Sequence, residues 1–129
     1  MTPPPLQSGL GPLHDLGVIQ CNVRKTDYHF APHLKEHIRE SLGDVTIEEI
    51  FEHVRRIVCL LSPNDYAGRD WWPDKPSGRV QADVYGIQDQ LGNWYVKIGI
   101  HKTHTRIYSC HFLREDLTLK NGTTLRKQR

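Results

Sequence analysis

Apolar side chains recur every three or four residues up to about residue 61, and every second residue after residue 79. The first spacing predicts helices and the second strands. Phe30, Leu34, Ile38 and Leu42 fall on one helical stripe, with Pro32 suited to its first turn and Gly43 to its stop. Thr46-Ile47-Glu48-Glu49 reads as a capping box, in which side chain and amide satisfy each other at both ends. Ile47, Ile50, Phe51, Val54, Ile57, Val58 and Leu61 then form a broad apolar face. Ser62-Pro63 closes that helix, because proline disfavours helical geometry in the residue before it. Residues 17–23 are short and β-like, and predict a first strand. Residues 65–78, rich in Gly, Asp and Pro and carrying Trp71-Trp72, predict a loop.

Three strands are expected at 79–87, 94–101 and 105–112, joined by a turn at Leu91-Gly92-Asn93 and a short loop at 102–104. Connections this short imply antiparallel neighbours. The expected fold is α+β, with two or three helices on one face of a small antiparallel sheet. Strict alternation puts Val80, Ala82, Val84, Trp94, Val96, Ile98, Ile100, Tyr108, Cys110 and Phe112 under the helices. It puts Arg79, Gln81, Asp83, Tyr85, Tyr95, Lys97, Gly99, His101, Thr105, Ile107, Ser109 and His111 on the other face.

That second face carries phenols, cations, an amide and imidazoles on three adjacent strands. RNA cleavage needs such a set: a base for the ribose 2′-hydroxyl, an acid for the leaving 5′-oxygen, and cations for the charged phosphorane. His111 is of the type that titrates near neutrality and serves as acid or base. Lys97, Arg79 and Arg106 are candidate phosphate contacts, and Tyr95 and Tyr85 can stack on bases or donate to phosphate oxygens. A solvated antiparallel sheet is also polar without any catalytic role.

Composition narrows the class. The 129 residues suit one domain, and 37% hydrophobic with 25% charged residues is an ordinary globular balance. No apolar run reaches the length of a bilayer span, so no membrane association is expected. The proline-rich start lacks the apolar stretch of a signal peptide, which predicts a disordered leader over 1–16, a domain over 17–120 and a basic tail over 121–129. Three widely spaced cysteines argue for a reducing, cytoplasmic setting. Net charge is +2, divided as +6 over residues 95–129 and −4 before them, and a basic C-terminal third suggests an anionic partner.

Several short motifs occur in order: Leu61-Ser62-Pro63-Asn64-Asp65-Tyr66, Asp83-Val84-Tyr85, Gly92 with Tyr95-Val96-Lys97-Ile98, and Ser109 followed two places on by His111. Over residues 40–113 the chain resembles the motility quorum-sensing regulator (MqsR) toxin family, within the wider RelE-like ribonuclease fold. The resemblance implies a RelE-like sheet and a metal-independent endoribonuclease of a toxin–antitoxin pair. Such an enzyme cuts messenger RNA, needs no cofactor and is silenced by a cognate antitoxin protein. It also implies that Tyr95 matches an active-site tyrosine, Lys97 the strand lysine that follows it, and His111 a basic residue of the last strand. The family lysine three places after the aspartate falls on Gly68 here, with Arg69 next to it as a substitute. The family glutamine falls on Ala82, with Gln81 one place earlier.

The catalytic set expected on this reading is His111, Tyr95 and Lys97, with Arg79, Gln81, Tyr85, Arg69 and Arg106 around the RNA. One rival is a non-catalytic module that binds RNA or protein through the same face. Another is a metal enzyme built on His33 and His37, four apart on one helix, with Glu36 or Glu40. A third is an adaptor that contacts a partner through Trp71-Trp72.

Overall fold

Asp15 accepts the Val18 amide and starts α1 (Leu16–Arg24), whose Ile19 and Val23 lie one helical turn apart and are buried. The computed structural model describes residues 11–74 and 78–128, without the side chains of 73, 74, 78 and 79. The strand expected over 17–23 is therefore a helix. The capped start and the packing on the next long helix decide it. Gln20 donates to the carbonyls of Val58 and Leu61 at 3.0 and 2.8 Å, which ties α1 to the free C-terminal end of that helix.

A two-residue strand, β1 (His29–Phe30), precedes α2 (Leu34–Leu42), so Phe30 belongs to the sheet and the helical stripe starts at Leu34. Then α3 (Ile47–Leu60) opens on the expected capping box: Glu49 N donates to Thr46 Oγ1 at 3.1 Å and Thr46 N to Glu49 Oε1 at 2.9 Å. One 3-10 turn (Pro63–Asp65) leads into β2 (Tyr66–Asp74), β3 (Gly78–Gln88), β4 (Asn93–His101) and β5 (His104–Phe112). The sheet order is β1-β5-β4-β3-β2, antiparallel throughout except that β1 runs parallel to β5. The fold is α+β, as expected. The stretch expected as a loop over 65–78 is mainly strand β2, paired along its length with β3, so glycine, proline and aspartate there mark an edge strand.

Two registers depart from simple alternation. Along β3, Asp83, Tyr85 and Ile87 stand opposite Ile98, Val96 and Trp94, and so face the helices, while Ala82, Val84 and Gly86 face away. Alternation misleads here because both faces of β3 are covered. The face away from the helices meets a small hairpin, β6 (Leu117–Thr118) with β7 (Thr124–Leu125). Its Leu117 and Leu119 pack with Val84, Ala67 and Tyr95. The large Tyr85 takes the deep core and the small side chains lie under the hairpin. In β5, a bulge between the Lys97–Ser109 and Ile98–Ile107 pairs inserts Tyr108, which sends Ile107 into the core and Tyr108 to the far face.

The chain on either side of these elements is also tied down. Asp83, fully buried, accepts the amides of Leu13 and His14 at 2.9 and 2.8 Å, which fixes part of the segment expected as leader. In the stretch expected as a basic tail, Gln128 N donates to Leu113 O at 2.8 Å, and its side-chain oxygen accepts the Asn93 amide at 2.9 Å. Asp116 pairs with Arg126 at 3.0 Å and accepts Lys127 N at 2.8 Å. Among the described residues no helix is long and apolar enough to cross a membrane.

Candidate functional site

The expected catalytic residues come together on the sheet face away from the helices. In the β4–β5 pairing Tyr95 stands opposite His111, and Lys97 opposite Ser109. The Tyr95 and His111 rings stack at 5.3 Å between centroids with 15° between planes. His111 Nδ1 lies 2.8 Å from the carbonyl of Phe112. A carbonyl only accepts, so Nδ1 carries the proton and Nε2 presents a lone pair. From α2, which covers the edge of β5 where Ser41 Oγ accepts Phe112 N at 2.9 Å, the His37 ring meets His111 edge-on at 5.8 Å. His111 is only 8% exposed. Burial chiefly lowers its pKa, to about 4, with Arg114 and His37 acting in the same direction. The imidazole is therefore neutral at pH 7.

Lys97 is the cation two residues from Tyr95 on this face. Its ammonium pairs with Asp70 at 3.0 Å, donates to the Trp71 carbonyl at 3.2 Å, and sits 5.5 Å from the centre of the Trp72 ring. The Asp70 carboxylate also lies near the Tyr95 hydroxyl. Burial and then this carboxylate raise the Tyr95 pKa, so the phenol keeps its proton. Farther along the same face Trp72 leans on Tyr108 at 5.2 Å, and the Arg106 guanidinium lies 5.8 Å from the Tyr108 ring.

Not every expected residue is here. Tyr85 is 1% exposed beneath the helices, with its ring against Tyr66 at 5.4 Å. Gln81 and Arg69 share its side of the sheet by the β2–β3 pairing. There the Gln81 carbonyl accepts His14 Nε2 at 3.3 Å, and Arg69 Nε donates to Gly11 O at 2.9 Å. The strand register removes all three from the site, and the Arg69 side chain and the Gln81 backbone hold the segment at 11–14 instead. The side chain of Arg79 lies outside the described residues. Cys110 faces the core, where burial pushes its thiol up to about 12, so it forms no pair with the adjacent His111.

No family model matches the chain, and neither does any curated protein or solved structure.

Four members of the cluster escape a reading by alternation: Asp70, Trp72, Tyr108 and His37. Asp70 and Trp72 are two apart, the spacing of one strand face, and would have been found had 65–78 been read as strand. Tyr108 is placed by a bulge and His37 by the docking of α2. Among the described residues no three or more His, Cys, Asp or Glu side chains are grouped to hold a metal ion. His33 and His37, 6.4 Å apart by ring centres, diverge instead, His33 toward Glu36 at 3.0 Å and His37 toward His111. What the cluster offers is a neutral imidazole with one free lone pair, a protonated phenol and a buried ammonium, all on one face.

Proposed function

We propose that the protein is a metal-independent endoribonuclease of the MqsR/RelE-like toxin kind, acting on messenger RNA in the cytoplasm and held silent by a cognate antitoxin. The observation that carries this reading is the stacked Tyr95–His111 pair with Lys97 on the same face. The neutral Nε2 of His111 takes the proton of a ribose 2′-hydroxyl. The 2′-oxygen forms its bond to phosphorus while the bond to the 5′-oxygen breaks. The leaving oxygen collects a proton from the Tyr95 hydroxyl. Lys97 balances the charge on the phosphorane oxygens. The products are a 2′,3′-cyclic phosphate and a 5′-hydroxyl, and the phenol regains its proton from the imidazolium through solvent.

In the free protein Asp70 occupies the place relative to Lys97 and Tyr95 that a phosphate oxygen would take, so substrate must displace an internal anion. That same observation favours one second reading, a non-catalytic RNA-binding module whose cation is held in reserve. Labelled single-stranded RNA incubated with the purified protein in excess EDTA separates the two. Cleavage ends bearing a cyclic phosphate, lost on His111→Ala with the fold retained, support the nuclease. Bound but intact RNA supports the module.

A further inference from the structure

A concave region lies at the other end of the β4–β5 pair. It is a groove of about 420 Å³ lined by His29, Phe30, His101, Lys102, His104 and Arg106. Five of the six side chains are basic or imidazole, and no carboxylate lines it. Its walls are fixed by backbone pairing. His29 stands opposite Arg106 across the parallel β1–β5 contact, and His101 opposite His104 at the hairpin turn. The His29 and His104 rings meet edge-on at 5.3 Å. Lys102 sits in the turn itself with φ of 49°, which turns the chain back and places its side chain at the mouth of the groove.

We propose that this groove is an anchoring subsite for a backbone phosphate of single-stranded RNA, a few nucleotides from the His111 cluster. The inference rests on the RNA reading above and extends it to how the strand is held. An imidazole, ammonium and guanidinium lining with no carboxylate fits a phosphodiester, and its histidines are not grouped to hold a metal ion. Packed side chains link the groove to the first site. From Arg106 the face runs through Tyr108 and Trp72 to Lys97, each cation standing over an aromatic ring. Arg106 and His111 stand opposite Gly99 and Tyr95, four residue steps apart on β4, about 13 Å at strand rise, a distance that a short oligonucleotide spans.

The test uses a fluorescent 2′-O-methyl RNA dodecamer, which lacks the attacking hydroxyl and so reports binding alone. Its affinity is measured by anisotropy across a series of salt concentrations for the whole protein, for Lys102→Gln/Arg106→Gln, and for an exposed control, Arg126→Gln/Lys127→Gln. The groove variant should bind about tenfold more weakly at 0.1 M salt. Its plot of log affinity against log salt should flatten by about 1.4, the value for two lost single-strand phosphate contacts, with the control changed much less. Lys102→Gln alone, at an exposed turn, gives half the flattening and covers the case in which the double variant unfolds. Equal affinity and equal slope for the groove variant and the whole protein would overturn the subsite. Cleavage of unmodified RNA by the whole protein is scored separately. Cleavage with no groove effect sinks the subsite alone, while a groove effect without cleavage sinks the nuclease alone.

Discussion

The ring of Tyr95 lies flat against that of His111, and both are held there by direct cross-strand pairing of β4 and β5. A stacked phenol on one side, the edge of His37 on the other and the Phe112 carbonyl on Nδ1 leave Nε2 as the open position of the imidazole. The ring is thus oriented before any ligand arrives, which is what an acid–base group needs and what a solvated surface histidine lacks.

His37 is the removable wall of this arrangement. Burial is the largest cause of the low His111 pKa, and the charge of His37 adds to it. His37→Ala should therefore raise the His111 pKa from about 4 toward the usual 6.5, read by following its ring resonances through a pH titration in NMR. A value still near 4 would show that the sheet and the Tyr95 ring alone exclude the water. If His111 is the base of an RNA cleavage, the acid limb of the rate profile should move to higher pH by the same amount.

The same shift makes a prediction about stability. An unfolded chain takes up a proton on His111 near pH 6.5, the folded one only near pH 4. Between these values the unfolded state binds more protons, so the stabilisation present above pH 6.5 is lost as pH falls toward 4. A displacement of this size corresponds to at most about 3 kcal/mol for a buried group. Replacement by a ring that cannot titrate, His111→Phe, should flatten this part of the stability profile, measured by urea unfolding at pH 7, 5.5 and 4. Parallel profiles for the two proteins would mean that the imidazole is hydrated in the fold.

Asp70 pairs with Lys97 and lies near the Tyr95 hydroxyl. Asp70→Asn keeps an acceptor for the Tyr95 hydroxyl and removes the negative charge, leaving the ammonium to an incoming phosphate. RNA affinity should rise several-fold, and the salt dependence should steepen as a further phosphate contact forms. Anisotropy with a short single strand reads both quantities. Weaker binding would place the carboxylate among the groups that hold Lys97 in its productive position.

Local signals carried much of this fold. The Thr46–Glu49 box, the α3 stripe, the β4–β5 hairpin and the common face of Tyr95, Lys97 and His111 all follow from spacing, because each depends on neighbours in sequence. What spacing could not supply is set at long range. Tyr85 and Gln81 lie on the opposite side from expectation because the far face of β3 is covered too: a hairpin some thirty residues later packs on Val84 and Gly86, and Tyr108 and Trp72 pack on Ala82. Tyr108 escapes because a bulge resets the period, and Asp70 because one partner of its strand is read only after β3 is placed. Helix α1 was misread because a short apolar run suits either element until its cap and its packing are known.

Gly86 shows how closely that late hairpin sits. A Cβ at this position would lie 2.6 Å from Leu117 Cδ2, 3.1 Å from Leu125 Cδ1 and 3.2 Å from Leu119 Cδ2. All three contacts belong to side chains that cover the sheet, and with three leucines crowding one point, relief by lifting the hairpin competes with side-chain repacking. Gly86→Ala should cost about 1–3 kcal/mol in urea unfolding, within the usual range for overpacking. Because Tyr95 packs in the same small cluster as Leu117 and Leu119, lifting them also admits water to one side of the phenol. Its pKa, raised chiefly by burial, should then fall toward the ordinary tyrosine value, a change visible in ultraviolet titration. Faster proteolysis after residue 116 should accompany it. A variant as stable and as resistant as the original protein would mean that the three leucines can repack without leaving the sheet.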